Sequence, residues 1–110
     1  MTNRTIWKFP LAIAGAQTVC MPAGAKILSV HMQDGVPCVW AIVDPDAPQR
    51  AVTFRMFGTG HGLPAAGMAF VGTVPDRAFV WHVFYDTVDP HRYRSGAIMA
   101  DNPTYGIMEC

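Results

Sequence analysis

The stretch "AKILSVHMQDGVPCVWAIVD", Ala25 to Asp44, decides how the chain folds. Two apolar runs flank Asp34-Gly35, the residue pair favoured by a two-residue type I′ hairpin turn, in which both central positions need positive φ. Such a loop pairs Gln33 with Val36, and the rest of the register follows. Met32 faces Pro37, His31 faces Cys38, Val30 faces Val39 and Ser29 faces Trp40. Side chains alternate along a strand. One face of the predicted hairpin therefore carries Leu28, Val30, Met32, Pro37, Val39, Ala41 and Val43, and should meet the core. The other carries Ile27, Ser29, His31, Cys38, Trp40 and Ile42, a mixed face too apolar to be simply wet. Met32 and Pro37 fall at a non-hydrogen-bonded pair, so the N–H that proline lacks would point to the next strand. The second strand is then an edge near Pro37, or its other neighbour lies further along.

The sequence on either side of the hairpin is of the same kind. Nine prolines and ten glycines divide the chain into short pieces, most of them rich in Val, Ile, Phe, Trp and Thr, a mix that suits strands. Strands are predicted at Thr5 to Leu11, Ala16 to Pro22, Ala51 to Phe57, Met68 to Val74 and Ala78 to Tyr85. The last, "AFVWHVFY", is apolar on both faces, which places it centrally and covered on both sides. "DPDAPQ" (Asp44 to Gln49) reads as a polar loop. The fold class is all-β: a small antiparallel barrel or sandwich of six to seven short strands over residues 1–85. Residues 86–110 form an irregular C-terminal extension packed on the same domain.

Bulk composition excludes several functions. At 110 residues the chain holds one core, with 51% hydrophobic and 15% charged residues and a formal net charge of zero. So little charge leaves an apolar surface, and the expected cover is a second copy, giving a homo-oligomer, dimer or higher. A neutral chain without a basic stripe does not bind duplex nucleic acid. No run approaches the roughly 18 apolar residues of a membrane span. The N-terminal "MTNRTIWKFP" has no signal-peptide pattern. Cys20, Cys38 and Cys110 show no CxxC spacing and no disulfide framework. These features together suggest a cytoplasmic protein with reduced thiols.

Chemistry-bearing residues are few. "FRMFGTGHGLP", Phe54 to Pro64, ends a strand in Gly58-Thr59-Gly60-His61. The loop is either a nest of backbone N–H groups for an anion, with Arg55 as a guanidinium clamp and His61 beside it, or a tight turn needing positive φ at both glycines. It lacks the Lys-Ser/Thr of a P-loop and the third glycine of a dinucleotide fingerprint. His31, His61, His82 and His91 have no metal-ligand spacing, so no metal is expected; His82, alternating with Val80 and Phe84, reads as a satisfied core histidine. Asp44 and Asp46 read as turn residues bonding their own backbone. No nucleophile, carboxylate pair or cofactor motif is visible, so no catalytic residue and no cofactor are assigned. Trp40 on the mixed hairpin face is covered by a partner subunit or stacks a planar ligand. In "HRYR", Arg92, Tyr93 and Arg94 combine charge with a stacking ring, or form a solvated basic turn.

From about Arg4 to Phe84 the chain resembles a family of short proteins found in phage and bacterial genomes. The resemblance rests on "TIWKFPL", "MPAGAKILSVHMQDGVPCVWAIVDPDAP", "FRMFGTGHGLP" and "FVWHVFY", which recur in that order and spacing. It implies a phage or prophage setting, and so the cytoplasm of a bacterial host, but it brings no activity. The tail from Asp86 onward looks like an extension beyond the usual family end. Small phage proteins are often counter-defence factors, and one class sequesters nucleotide signals of bacterial immunity; the likeness is of setting and size. The expected function is therefore non-catalytic sequestration of a small anionic ligand, a cyclic or linear nucleotide, by Arg55, Gly58, Thr59, Gly60 and His61, with Trp40, Arg92, Tyr93 and Arg94 as further contacts. The alternative is a protein–protein interaction module, and a nucleotide hydrolase comes last.

Overall fold

The computed structural model describes residues 3–64 and 66–87. The expected residues Arg92, Tyr93 and Arg94 lie outside them. Seven strands run in chain order: β1 (Thr5–Pro10), β2 (Ala16–Pro22), β3 (Lys26–Gln33), β4 (Val36–Val43), β5 (Gln49–Gly58), β6 (Met68–Asp76) and β7 (Phe79–Asp86). They form two antiparallel sheets, a three-stranded one ordered β1-β4-β3 and a four-stranded one ordered β2-β5-β7-β6. The sheets pack face to face without closing, so of barrel and sandwich the fold is the sandwich.

The central hairpin forms as its residues dictate. Asp34 (φ 52°) and Gly35 (φ 79°) both take positive φ, and the pairs run Gln33–Val36, Met32–Pro37, His31–Cys38, Val30–Val39 and Ser29–Trp40. β4 is not an edge. Its second neighbour is β1, whose pairing starts at Pro10–Cys38, one residue past the proline, and Leu11 N–H donates to the Pro37 carbonyl at 2.8 Å.

One part of the expected face pattern is corrected. Between Ile27 and Ser29 the register slips, with Ile27 opposite Ala41 and Ser29 opposite Trp40, so Leu28 is an extra residue. A bulge sets two residues against one and reverses the alternation beyond it. Ile27 therefore turns inward and packs on the core, while Leu28 turns out and is 43% exposed.

The core lies between the sheets. Val30 and Val39 come from the three-stranded sheet, Met21, Phe54, Met56, Val74 and Val83 from the four-stranded one, and Leu11 from the segment that follows β1. β6 also bulges, since the register slips between Phe70 and Gly72. Beyond that slip β6 lies so close to β3 that a Cβ on Gly72 would sit 2.8 Å from Val30 Cγ1. The absent side chain is what permits the two sheets to approach there.

Short turns connect most strands. The β2–β3 turn places Gly24 at φ 81°. In the β4–β5 loop Asp46 N–H donates to Asp44 Oδ1 at 3.0 Å and Ala47 N–H to the Asp44 carbonyl, the self-bonding turn expected of these aspartates. β7 extends one residue past the expected end of the β domain, and Asp86 pairs with Met68.

The β5–β6 connection differs. Both strands are antiparallel to β7, which lies between them, so they are parallel to each other. β5 ends at Gly58 opposite Trp81, and β6 begins at Met68 opposite Asp86. The chain must return along β7 and cross it, a distance of roughly 20 Å from strand rise and spacing. His61 to Met68 spans at most roughly 25 Å when extended. Residues 59–64 therefore leave the end of β5 as a strap that begins this return on the outer face, where Thr59 to His61 and Leu63 lie beside Phe84 and Phe70.

Candidate ligand-binding site

The strap and the strands beneath it enclose a shallow, open basin of about 300 Å³. Strand alternation supplies its floor. Phe57, Phe84 and Phe70 project outward from β5, β7 and β6, on the face opposite the buried Met56 and Val83. Phe57 and Phe84 meet edge to face at 5.7 Å and 79°, and Phe70 and Phe84 at 5.4 Å and 63°, the geometry preferred by ring quadrupoles. The bulge at Val71 keeps Phe70 on the outer side, and the ring is 59% exposed.

The rim is polar. Gly58 to His61 is a β-turn closed by His61 N–H donating to the Gly58 carbonyl at 3.1 Å. Gly60 takes φ 92° while Gly58 stays in the ordinary range, so the reversal needs positive φ once, not twice. Gly58 is required for a different reason: a Cβ there would lie 2.9 Å from His61 Cε1. The ring packs over the glycine, and Gly58 N–H donates to His61 Nδ1 at 3.1 Å. His82, under the strap, is held at both ring nitrogens, by Thr59 Oγ1 at 2.9 Å from Nε2 and by Thr73 Oγ1 at 3.0 Å from Nδ1. It is satisfied, as expected, but it lies on the outer face and not in the core, because its alternation partners Val80 and Phe84 point outward too.

The residues expected to act together are only partly assembled. Gly58, Thr59, Gly60 and His61 line the basin. Arg55 lies on the same outer face, opposite Phe84, but its guanidinium is engaged in a two-point pair with Asp86. Nε donates to Oδ1 at 2.8 Å and Nη2 to Oδ2 at 3.0 Å. Those hydrogen bonds, against the desolvation of partial burial and aided by the charge of Asp86, hold its pKa above the ordinary value. The Gly58 N–H is likewise already donated, to the imidazole. Trp40 lies on the outer face of the other sheet, half-buried, with its ring 6.1 Å from His31. Trp40 and the basin are therefore on opposite sides of the sandwich.

Phe57, Leu63, Phe70 and Phe84 were not singled out from the sequence, and neither was the exposure of His82 in the basin. Their alternation was readable in "FRMF" and "FVWHVFY". That they meet follows from the strand order β5-β7-β6, which no local pattern encodes. Among the described residues lining the basin, none carries a carboxylate, ammonium or guanidinium. The arrangement suits an apolar, planar group with polar contacts at its edge.

Among the described residues no helix is long and apolar enough to cross a membrane. No curated protein matches the chain, and no solved structure matches it. A family model described as a domain of unknown function, DUF7352, matches residues 2–94. The match extends past Asp86, so part of the segment expected to follow the family's end falls within it. Covering most of the chain, the match makes this protein a member of the DUF7352 family.

Proposed function

We propose that the protein is a non-catalytic binding module that captures a small ligand carrying a planar ring on the outer face of β5, β7 and β6, beneath the strap. The observation that carries this reading is the basin itself: three phenyl rings converging from three strands beside an imidazole on a glycine turn. The Arg55–Asp86 pair shifts the weight from anion to ring. A phosphate reaches the guanidinium only by displacing a carboxylate held at two points, whereas a ring meets apolar surface already assembled.

In its fullest form the ligand is a nucleotide-derived signal, its base on the phenyl floor and its phosphates toward solvent, sequestered in a phage counter-defence setting. The likeness of "FRMFGTGHGLP" and "FVWHVFY" to short phage proteins supports the setting. Calorimetry of the full chain against linear and cyclic nucleotides tests it, with recovery of the ligand after denaturation. Binding with intact ligand is the expected result. Released hydrolysis product would replace the binder by an enzyme, and absence of binding to every nucleotide would remove the nucleotide form.

A homo-oligomer is the second part of the reading. Ile6, Trp7 and Leu28 are exposed apolar residues of the three-stranded sheet, and Phe79 on β7 is 62% exposed. Light scattering at micromolar protein should give at least twice the 12.0 kDa chain mass. A monomer would end this part of the proposal.

A further inference from the structure

The two imidazoles of the basin are in different chemical states. His82 has both ring nitrogens committed to threonine hydroxyls. His61 has one nitrogen committed, and the commitment fixes its tautomer. A backbone N–H can only donate, so Nδ1 of His61 is an acceptor toward Gly58, and the neutral ring carries its proton on Nε2. Gly58 lets the ring lie where a Cβ would otherwise displace it, and the turn through Gly60 returns the chain to that place. The basin is thus equipped with an oriented side-chain N–H donor beside an aromatic floor, and no carboxylate, ammonium or guanidinium is among its lining residues.

We propose that His61 is the specificity-determining residue of this basin, and that the part of the ligand it selects is an uncharged planar heteroaromatic ring whose edge presents a hydrogen-bond acceptor to Nε2–H. The inference rests on the basin being the binding site and adds which ring it selects. Phenyl floors alone do not distinguish rings of equal size. An oriented donor does, because a ring with only N–H at its edge sets donor against donor and forfeits the hydrogen bond that an acceptor would make. The anion is not read here, since the nearest guanidinium already has its carboxylate.

The test uses three probes on the ¹⁵N-labelled full chain: quinoline, a planar ring with an acceptor; indole, of similar size with a donor; and inorganic phosphate. Quinoline should shift the amides of Gly58, Thr59, Gly60 and Phe84 and bind roughly three- to tenfold tighter than indole, the value of one net hydrogen bond. His61→Phe keeps a ring and removes the donor, so it should equalise quinoline and indole while both still bind. A long-range ¹⁵N–¹H spectrum should place the His61 proton on Nε2. Equal affinities in the unsubstituted protein, or a proton on Nδ1, would overturn the role of His61 and leave the basin standing. Shifts at these amides with phosphate but with neither ring would overturn the ligand class. If neither ring nor phosphate moves them, the basin reading itself falls.

Discussion

The two outer faces of this sandwich are built from the same kind of strand, yet they differ in what they offer a ligand. On the three-stranded sheet, neighbours β3 and β4 are joined by a two-residue turn, and no connection crosses from one of its strands to another. Its outer face, with Lys8, Ser29, His31 and Trp40, stays an open pleated surface, tied across β4 by Lys8 Nζ donating to Gln33 Oε1 at 2.6 Å. On the four-stranded sheet β7 is inserted between β5 and β6, so the connection must cross it. The crossing forms a rim above three phenyl rings, and a surface becomes a basin. A site arises here from strand order, with no change in the type of residue used.

The largest effect bearing on that comparison is expected where the sheets are held together. Gly72→Val would drive a branched side chain into Val30, 2.8 Å from the first added carbon. Overpacking of this kind costs about 1–3 kcal/mol. Chemical denaturation should show it, together with loss of the basin, because β6 carries Phe70. An unchanged midpoint would mean that β6 is not pressed against β3 at Gly72.

Next come the two turns that serve the two faces. Gly35 (φ 79°) closes the hairpin and Gly60 (φ 92°) opens the strap, and a Cβ at either would meet open space. Replacement by Val therefore tests backbone alone, at about 1–2 kcal/mol for a residue forced to positive φ. Gly35→Val should lower the thermal midpoint of the whole domain. Gly60→Val should lower it less and raise amide exchange in residues 59–64, since a strap opens more cheaply than a hairpin buried in a sheet. Equal global losses would show that the strap is as integral to the fold as the hairpin.

A smaller effect is expected at the ion pair. Arg55 is 38% exposed, so solvent screens the pair, and Arg55→Ala should cost less than about 1 kcal/mol. Its raised pKa contributes stability at all pH values below the ordinary arginine range, and this is lost only as pH rises through the folded value, far above neutrality. Ring binding in the basin should be unchanged. A tenfold loss would make Arg55 part of the ring site.

The smallest effect on folding belongs to Gly58→Ala. The new methyl meets only the exposed His61 ring, which can swing away, so the thermal midpoint should move little while quinoline selectivity is lost. Trp40→Ala is its counterpart on the other face and should leave basin binding unchanged. A Trp40 effect on binding would join the two faces that the fold separates.

The sequence alone was sufficient for the all-β class, for the Asp34-Gly35 turn with its five facing pairs, and for the central position of "AFVWHVFY". Each rests on information carried within a few residues: positive φ favours Asp-Gly, a two-residue loop sets register, and a run apolar on both faces takes a central place in its sheet; the cover expected over its outer face is not found among the described residues, where Val80 is 38% exposed and Phe84 lines the open basin. Tertiary structure decided the rest. The Leu28 bulge exchanged the sides of Ile27 and Leu28, two residues that are equally apolar, so the pattern could not say which faced inward. Asp86 took Arg55 from 31 positions away, a partner that no spacing rule identifies. The strap became a rim because β7 entered between β5 and β6. Strand order is settled by which buried faces fit across the whole core, and a local pattern that satisfies several orders equally cannot choose among them.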